Sequence, residues 1–397
     1  MPNIEKLISK YCPNGTNHKS LNDLGVFFSG LSGKTKKDFE NGNCKFATYM
    51  NVYKNPALNL DIKDMVCVEA DENQNCLKLG DVLFTGSSET PDECGLSSVV
   101  SEEPKEKIYL NSFCFGYRLN DTSLFLPDFL KHLFRSDNLR RQISKTANGV
   151  TRFNVSKTKF GKIIIPVPPL AVQEEIVNIL DSFTLLEAEL EAELEARKKQ
   201  YQHYRDKLLN FADISQGRVR TMALCEIADI GTGRSNRADA KEDGLYPFYV
   251  RSKEVFKLDT FEFDEEAIII PGEGGVGDIF HYVKGKYALH QRAYRVHLTT
   301  DILNAKFLYH YMQAAFKKFI LSKAVSATVT SIRKPMLEQF VVPVPPLAEQ
   351  ERIVSILDKF DALVNDISDG LPAEINARRQ QYEYYRNKLL NFEPMAA

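Results

Sequence analysis

The chain writes one eighteen-residue phrase twice, and that internal repeat limits its fold more than anything else in it. Pro166-Val-Pro-Pro-Leu-Ala-Val-Gln-Glu-Glu-Ile-Val-Asn-Ile-Leu-Asp-Ser-Phe183 returns as Pro343-Val-Pro-Pro-Leu-Ala-Glu-Gln-Glu-Arg-Ile-Val-Ser-Ile-Leu-Asp-Lys-Phe360, with fourteen of the eighteen positions identical. A second echo follows: Tyr204-Arg-Asp-Lys-Leu-Leu-Asn-Phe211 against Tyr385-Arg-Asn-Lys-Leu-Leu-Asn-Phe392. The long segments beside the copies have diverged heavily. Two constant pieces alternating with two variable ones imply a fixed frame that presents two different readers.

The constant pieces read as helices. Pro168-Pro169 and Pro345-Pro346 forbid helix before them and suit a helix start just after. From about Val172, apolar residues recur at Ile176, Leu180, Phe183, Leu186, Leu190, Leu194, Tyr201, Tyr204, Leu208 and Phe211. Most steps are three or four, the spacing of one helix face. About forty residues make a rod of roughly 60 Å, too long for one small domain. It needs a partner, and the obvious one is its own copy, from about Glu349 to Phe392. Inside the first rod, Leu186-Glu-Ala-Glu, Leu190-Glu-Ala-Glu and Leu194-Glu-Ala-Arg form a smaller repeat. Each unit adds about 6 Å of helix, somewhat under two base-pair steps of a duplex. The stretch reads as an adjustable spacer; the plainer reading is a run of good helix formers. The second rod carries Asp369-Gly-Leu-Pro372, so it is expected to kink or split there.

The variable segments read as mixed α and β. Gly80–Phe84, Phe113–Leu119, Glu266–Pro271, Gly277–Val283 and Tyr287–Val296 look like strands, and Leu126–Ile143 and Leu303–Ile320 like helices. The expected fold class is α+β: two globular mixed α/β domains separated by two long antiparallel helices, with a pseudo-two-fold repeat. The expected boundaries are 1–165 and 212–342 for the domains, and 166–211 and 343–397 for the helices.

Hydrophobic content of 43% and charged content of 26% suit a soluble globular protein. No apolar run approaches a membrane span, and Met1-Pro-Asn-Ile-Glu-Lys does not read as a signal peptide. Seven cysteines without Cys-x-x-Cys suggest reduced thiols in a cytosol. The net charge of −2 argues against nucleic acid, but its distribution does not. Lys131–Lys162 holds nine Lys/Arg and one acid, and Lys306–Lys334 holds six and none. Both basic stretches end just before a Pro-Val-Pro-Pro-Leu copy, and matched positions favour a phosphate footprint over two solvated faces.

Motifs for chemistry fail on inspection. Gly30-Leu-Ser-Gly33-Lys34-Thr35 lacks the first glycine of a phosphate loop, since that position is Phe28. Gly272-Glu-Gly-Gly-Val-Gly277 fits a dinucleotide fingerprint but leads into a strand-like run, so it reads as a glycine hairpin. The histidines, including His281, His290 and His310, show no metal-ligand spacing. There is no amino-methyltransferase Asn/Asp-Pro-Pro-Tyr/Phe tetrapeptide and no nuclease carboxylate cluster, so chemistry is expected in a partner.

The repeated Pro-x-Pro-Pro-Leu-Ala-x-Gln-x-x-Ile-Val-x-Ile-Leu-Asp, with Arg197-Lys-Lys-Gln-Tyr201 and Arg379-Gln-Gln-Tyr382 before Tyr-Arg-x-Lys-Leu-Leu-x-Phe, resembles the specificity subunit of type I restriction-modification enzymes. The Leu-Glu-Ala-Glu repeat resembles the spacer repeats of one branch of that family. The resemblance implies two target-recognition domains, each reading half of a split site in double-stranded DNA. It implies coiled-coil helices that set the spacing and dock two modification (methyltransferase) subunits, with restriction/translocase subunits added. It implies no catalytic residue, metal or cofactor in this chain: S-adenosylmethionine, ATP and Mg belong to partners. It implies a bacterial or archaeal cytoplasm.

Base contacts come from polar side chains on loops, while phosphate contacts position the protein. The DNA-binding candidates in the first half are Lys34, Thr35, Lys36, Lys145, Thr151, Arg152, Asn154 and Lys157. Those in the second are Arg234, Asn236, Arg237, Arg251, Lys253, Gln291, Arg292, Thr328, Thr330, Arg333 and Lys334. Ala147–Lys157 and Ala324–Lys334 are expected to occupy matching places. Two other readings stand beside this one: a fused methyltransferase or nuclease with its own recognition halves, and a two-headed coiled-coil scaffold.

Overall fold

Each Pro-Pro pair does start a helix. In the computed structural model, which describes residues 6, 10–211, 219–275, 277–323, 331–366 and 369–395, six helices have seven or more residues. They are α1 (Pro127–Leu133), α2 (Asp137–Ser144), α3 (Leu170–Leu208), α4 (Ala305–Lys323), α5 (Leu347–Asn365) and α6 (Leu371–Leu389). At the start of α3 the Pro169 carbonyl accepts from Val172 and Gln173, and at the start of α5 the Pro346 carbonyl accepts from Glu349 and Gln350. The second rod is split, as Asp369–Pro372 requires, between α5 and α6.

The chain forms two units. Unit 1 comprises the residues up to Glu189 together with those from Ile375 on. Unit 2 is Leu190–Glu374, so the boundaries fall inside α3 and α6.

In unit 1, β1 (Asn17–Ser20) pairs antiparallel with β12 (Ile164–Val167), Asn17 opposite Val167. A four-stranded sheet runs in the order β2 (Gly25–Ser29), β9 (Cys114–Leu119), β5 (Val82–Thr85), β7 (Ser97–Val99). A three-stranded sheet has β3 (Cys44–Ala47) between β4 (Met65–Val66) and β8 (Ile108–Leu110). A third has β11 (Phe153–Val155) between β10 (Ala147–Asn148) and β6 (Ser87–Ser88). Phe84, Phe115, Tyr117, Phe129, Phe134 and Phe160 fill the core, and Val172, Ile176 and Leu180 of α3 join the same cluster with Leu389, Leu390 and Phe392.

The stretch 126–143, expected as one helix, is two. Ser136 has extended backbone and its Oγ donates to the Leu133 carbonyl at 2.7 Å, which closes α1 and opens α2.

In unit 2, β13 (Arg220–Ala223) pairs with β20 (Val341–Val344), Arg220 opposite Val344. One six-stranded sheet has the order β14 (Ala228–Thr232), β19 (Ala293–Leu298), β17 (Phe263–Pro271), β18 (His281–Leu289), β15 (Tyr246–Tyr249), β16 (Val255–Leu258). Two strand expectations need correction. Residues 277–280 turn rather than extend, and β18 begins at His281. The run 287–296 is two strands, because the Ala293 N–H donates to the His290 carbonyl and closes a turn between β18 and β19. The glycine hairpin is there: Gly274, Gly275 and Gly277 have φ of 68°, 70° and 76°, a left-handed region that favours glycine, between antiparallel β17 and β18.

Both units join reader to frame in the same way. Gln173 is fully buried; its side chain accepts from the Leu126 N–H at 2.9 Å and donates to the Leu124 and Pro168 carbonyls at 2.8 Å. Gln350, also fully buried, accepts from Asn304 N–H at 2.7 Å and donates to the Ile302 and Pro345 carbonyls at 3.0 and 2.7 Å. Asp181 bonds His132 Nε2 at 2.7 Å and Lys131 at 2.9 Å. Asp358 bonds His310 Nε2 at 2.9 Å and Lys306 at 2.5 Å. Burial works against the Asp181 carboxylate, but His132 and Lys131 outweigh it and hold its pKa below the usual range. Burial also pushes His132 and His310 down, so both imidazoles are neutral near pH 7. The frame helices close on aromatic stacks: Phe183 on Tyr385 in unit 1, centroids 5.4 Å apart, and Phe360 on Tyr204 in unit 2 at 5.6 Å. In unit 1, Phe183 meets Tyr385 while Glu187 meets Arg379, so the two helices run antiparallel there.

Gln173→Leu and Gln350→Leu each strand one buried N–H and two carbonyls, and should destabilise the affected unit by on the order of 2–3 kcal/mol, read as a lower Tm by thermal unfolding. His132 and His310 have depressed pKa values, so the unfolded chain takes up protons first as pH falls below about 6.5. The Tm should therefore drop between pH 7 and 5.5, and the double variant H132Q/H310Q should flatten that drop.

Candidate nucleic-acid interface

In unit 2 the structure gathers five separate segments at one end of the large sheet. The β18–β19 turn places Gln291 and Arg292, with the Gln291 N–H on the Ser235 carbonyl and the Arg292 N–H on His290 Nδ1 at 3.0 Å. Gln291 Nε2 donates to Asn236 Oδ1, and the Asn236 N–H donates to Asp239 at 2.6 Å. Arg251 Nη1 and Arg292 Nη1 both donate to Glu273 Oε2, at 2.8 and 3.2 Å. The Ile332 N–H donates to the Gly272 carbonyl at 2.8 Å, which brings Arg333 and Lys334 alongside. Arg292, hydrogen-bonded to Glu273, and Arg251 beside it hold the Glu273 carboxyl below the usual carboxylate range. Asn236, Arg251, Gln291, Arg292 and Arg333 are thus one exposed polar surface. Arg234 is exposed, its N–H on Glu262; Arg237 lies over the Phe256 ring at 5.1 Å. Lys253 is exposed. Lys334 lies 3.8 Å from Glu338. Thr328 and Thr330 lie outside the described residues.

Unit 1 gathers a different set. The short hairpin of β10 and β11 pairs with β6, so Asn154 sits opposite Ser87. Arg152 Nε and Nη2 donate to Ser87 Oγ at 3.2 and 3.1 Å, and its guanidinium lies 5.9 Å from the ring of Phe113. Thr151 and Arg152 line an open groove with Tyr49, Tyr53, Ser88 and Glu93. Lys157 lies over the Phe115 ring at 5.4 Å. Lys36 and Lys145 are exposed. The Lys34 side chain is turned inward to pair with Glu72; Thr35 is exposed and caps a single 3-10 turn through Asp38, the role Asn236 has with Asp239. That turn of Lys36–Phe39 is not the helix a phosphate loop needs. Gly30 is glycine for a different reason: a Cβ there would stand 2.1 Å from the Asn111 carbonyl oxygen, and at Gly233, 1.8 Å from that of Leu289.

The basic stretches are not the continuous phosphate faces they look like. Arg135 donates to the Ser97, Val52 and Tyr53 carbonyls, and Arg140 to those of Gly95, Asp92 and Cys94. Burial pushes both guanidinium pKa values down to about 10. Lys131 and Lys306 serve the frame carboxylates, and Lys317 pairs with Asp278 at 2.7 Å. Arg135 and Arg140 are therefore committed inside the protein and Lys131 and Lys306 to the frame, while Lys317 is held in an exposed ion pair.

Ser87, Phe113 and Glu273 were not singled out in the sequence. Glu273 had a signal, an acid enclosed by glycines in a hairpin beside basic loops. Phe113 had none, because its exposure shows only in three dimensions.

A family model described as the type I restriction modification DNA specificity domain matches residues 13–196 and again 218–377. The chain is 38% identical over 259 residues to a type I restriction enzyme specificity subunit of Escherichia coli, a match covering 58% of this chain and 63% of that protein. It is 34% identical over 273 residues to a putative type I specificity subunit of Haemophilus influenzae, covering 62% of this chain and 68% of that one. The match thus spans just under two thirds of the E. coli relative's length. The crystal structure of the type I restriction-modification S subunit from M. genitalium superposes with a TM-score of 0.56 at 16% identity, over 94% of this chain and 96% of the other. At that identity the likeness is one of fold. No helix among the described residues is long and apolar enough to cross a membrane.

The split between committed and exposed bases can be measured. Arg140→Met should lower the Tm by several degrees, since it leaves three carbonyls unpaired. Lys145→Ala should leave the Tm unchanged and lower the slope of log K against log salt for duplex binding by about 0.9.

Proposed function

Since the chain belongs to the type I restriction-modification DNA specificity family and carries the family's domain twice, we propose that it is the DNA-recognising subunit of such a complex. The observation that carries this reading is the pairing of two near-identical junctions with two unlike polar surfaces. The Gln173 and Gln350 clamps match bond for bond, whereas one unit's surface carries Arg152, Ser87 and Phe113 and the other's carries Arg251, Glu273 and Arg292. A frame kept constant around variable loops is what reading two different half-sites requires.

Each recognition domain, 1–165 and 212–342, reads one half of a bipartite site in double-stranded DNA. The helical segments 166–211 and 343–397 set the spacer and dock two methyltransferase subunits, to which restriction subunits add. The chain itself performs no catalysis; S-adenosylmethionine, ATP and Mg act on the partners. Working on genomic DNA, it belongs in the cytoplasm of a bacterium or archaeon.

Co-purification with a methyltransferase subunit followed by methylome sequencing tests the reading, and a bipartite motif is the expected result. Adding or deleting one Leu-Glu-Ala-Glu unit among Leu186, Leu190 and Leu194 should lengthen or shorten the unread spacer by one or two base pairs, because four helical residues span about 6 Å. Both half-sites should stay as they were, and an unchanged spacer would refute the ruler.

A further inference from the structure

The two units hold different side chains at the same backbone address. In unit 1 the Gly86 N–H donates to the Phe113 carbonyl at 2.8 Å, and the Gly86 carbonyl accepts from Val155 at 3.0 Å. In unit 2 the Gly272 N–H donates to the Arg292 carbonyl at 2.9 Å, and the Gly272 carbonyl accepts from Ile332 at 2.8 Å. The residue after each glycine then pairs with the third segment, Ser87 with Asn154 and Glu273 with Ser331. Ser87 and Phe113 in one reader therefore correspond to Glu273 and Arg292 in the other.

The acid needs a reason to be there. Glu273 and Arg292 have side chains 41% and 58% exposed, and an ion pair that open to water adds little stability. A carboxylate also opposes phosphate binding, so general affinity for DNA does not explain it. Reading bases does. In the major groove a G·C pair sets the acceptors O6 and N7 of guanine beside the N4 amino donor of cytosine. A bonded arginine–glutamate pair sets donors beside an acceptor in the same way. Glu273 Oε2 takes both arginines, and Oε1 makes no hydrogen bond with the described residues. Arg292 uses only Nη1 on Glu273, and its backbone is fixed by His290 Nδ1, so its fork is oriented and still has donors to give.

Resting on the DNA-recognition reading above, we propose that Arg292 and Glu273 read one G·C base pair in the half-site of unit 2, arginine on guanine and glutamate on cytosine, with Arg251 holding the carboxylate in place. The two half-sites then differ because equivalent positions carry Ser87 and Phe113 in one unit and Glu273 and Arg292 in the other.

The test uses the full chain with its methyltransferase subunit. Wild type, Glu273→Gln, Arg292→Ala and, as a control, Ser87→Ala are each read by methylome sequencing, with thermal unfolding to confirm folding. The expected result is a bipartite wild-type motif in which Glu273→Gln and Arg292→Ala both lose discrimination at one shared G·C position of one half, by roughly tenfold or more. The spacer and the other half should be unchanged, and Ser87→Ala should leave that G·C position intact. A bipartite motif that folded Glu273→Gln and Arg292→Ala leave unaltered, or an equal loss of modification at all sites, overturns this inference alone. Absence of any bipartite motif in wild type overturns the reading on which it rests.

Discussion

The architecture depends on one buried amide per unit. Gln173 and Gln350 stand at the same place in the repeated phrase, and each joins the start of a frame helix to the segment that enters a reader helix. Every bond the amide makes goes to backbone: one N–H and two carbonyls. One acceptor and two donors satisfy the side chain fully, so burial carries no desolvation penalty left unmatched. Because these hydrogen bonds go to backbone and not to reader side chains, the reader can change its sequence without losing them. That is how near-identical frame segments can hold readers with so little in common.

The second half of each junction ties the two copies of the repeat together. Phe183 comes from the first copy of the long phrase and stacks on Tyr385 of the second copy of the short echo. Phe360 comes from the second copy of the phrase and stacks on Tyr204 of the first echo. Each unit is therefore completed by a helix from the other half of the sequence. The pairing of rod with rod was legible in the apolar spacing, since a helix of that length needs a partner. The interleaving follows from the expected antiparallel run of the two rods, but the contact itself was not legible, because nothing local to Phe183 points to Tyr385.

The same distinction divides the rest of what could be read. Helix starts, the break at Asp369–Pro372 and the glycine hairpin depend on residues adjacent in the chain, and they were readable. The break between α1 and α2 was not, although Ser136 fixes it locally, because the helical period runs through it. Charge was the least legible. Arg135 and Arg140 look like phosphate ligands until the carbonyls of Ser97, Gly95, Asp92 and Cys94 fold over them. Their partners lie roughly forty to eighty residues away in sequence, and a buried guanidinium that satisfies carbonyls has the same letter as one that waits for a phosphate. Exposure separates the two roles, and exposure is a tertiary property.

The readers also differ in length, and the difference is confined. Asn17 opposite Val167 corresponds to Arg220 opposite Val344, so the first reader is 26 residues longer between its frame strands. Gly25 opposite Leu119 corresponds to Ala228 opposite Leu298, which places 24 of those residues between β2 and β9. There unit 1 builds a separate small core around Val52, Leu58, Ile62 and Leu77. Yet the bonds at Gly86 and Gly272 survive inside the insertion, with 17 of the extra residues before that glycine and 7 after it. The chain thus tolerates large changes upstream of that glycine while holding the next residue at a fixed place in the sheet. A position whose backbone is constant and whose side chain goes from Ser87 to Glu273 is where a change of sequence alters the surface presented without altering the fold that presents it.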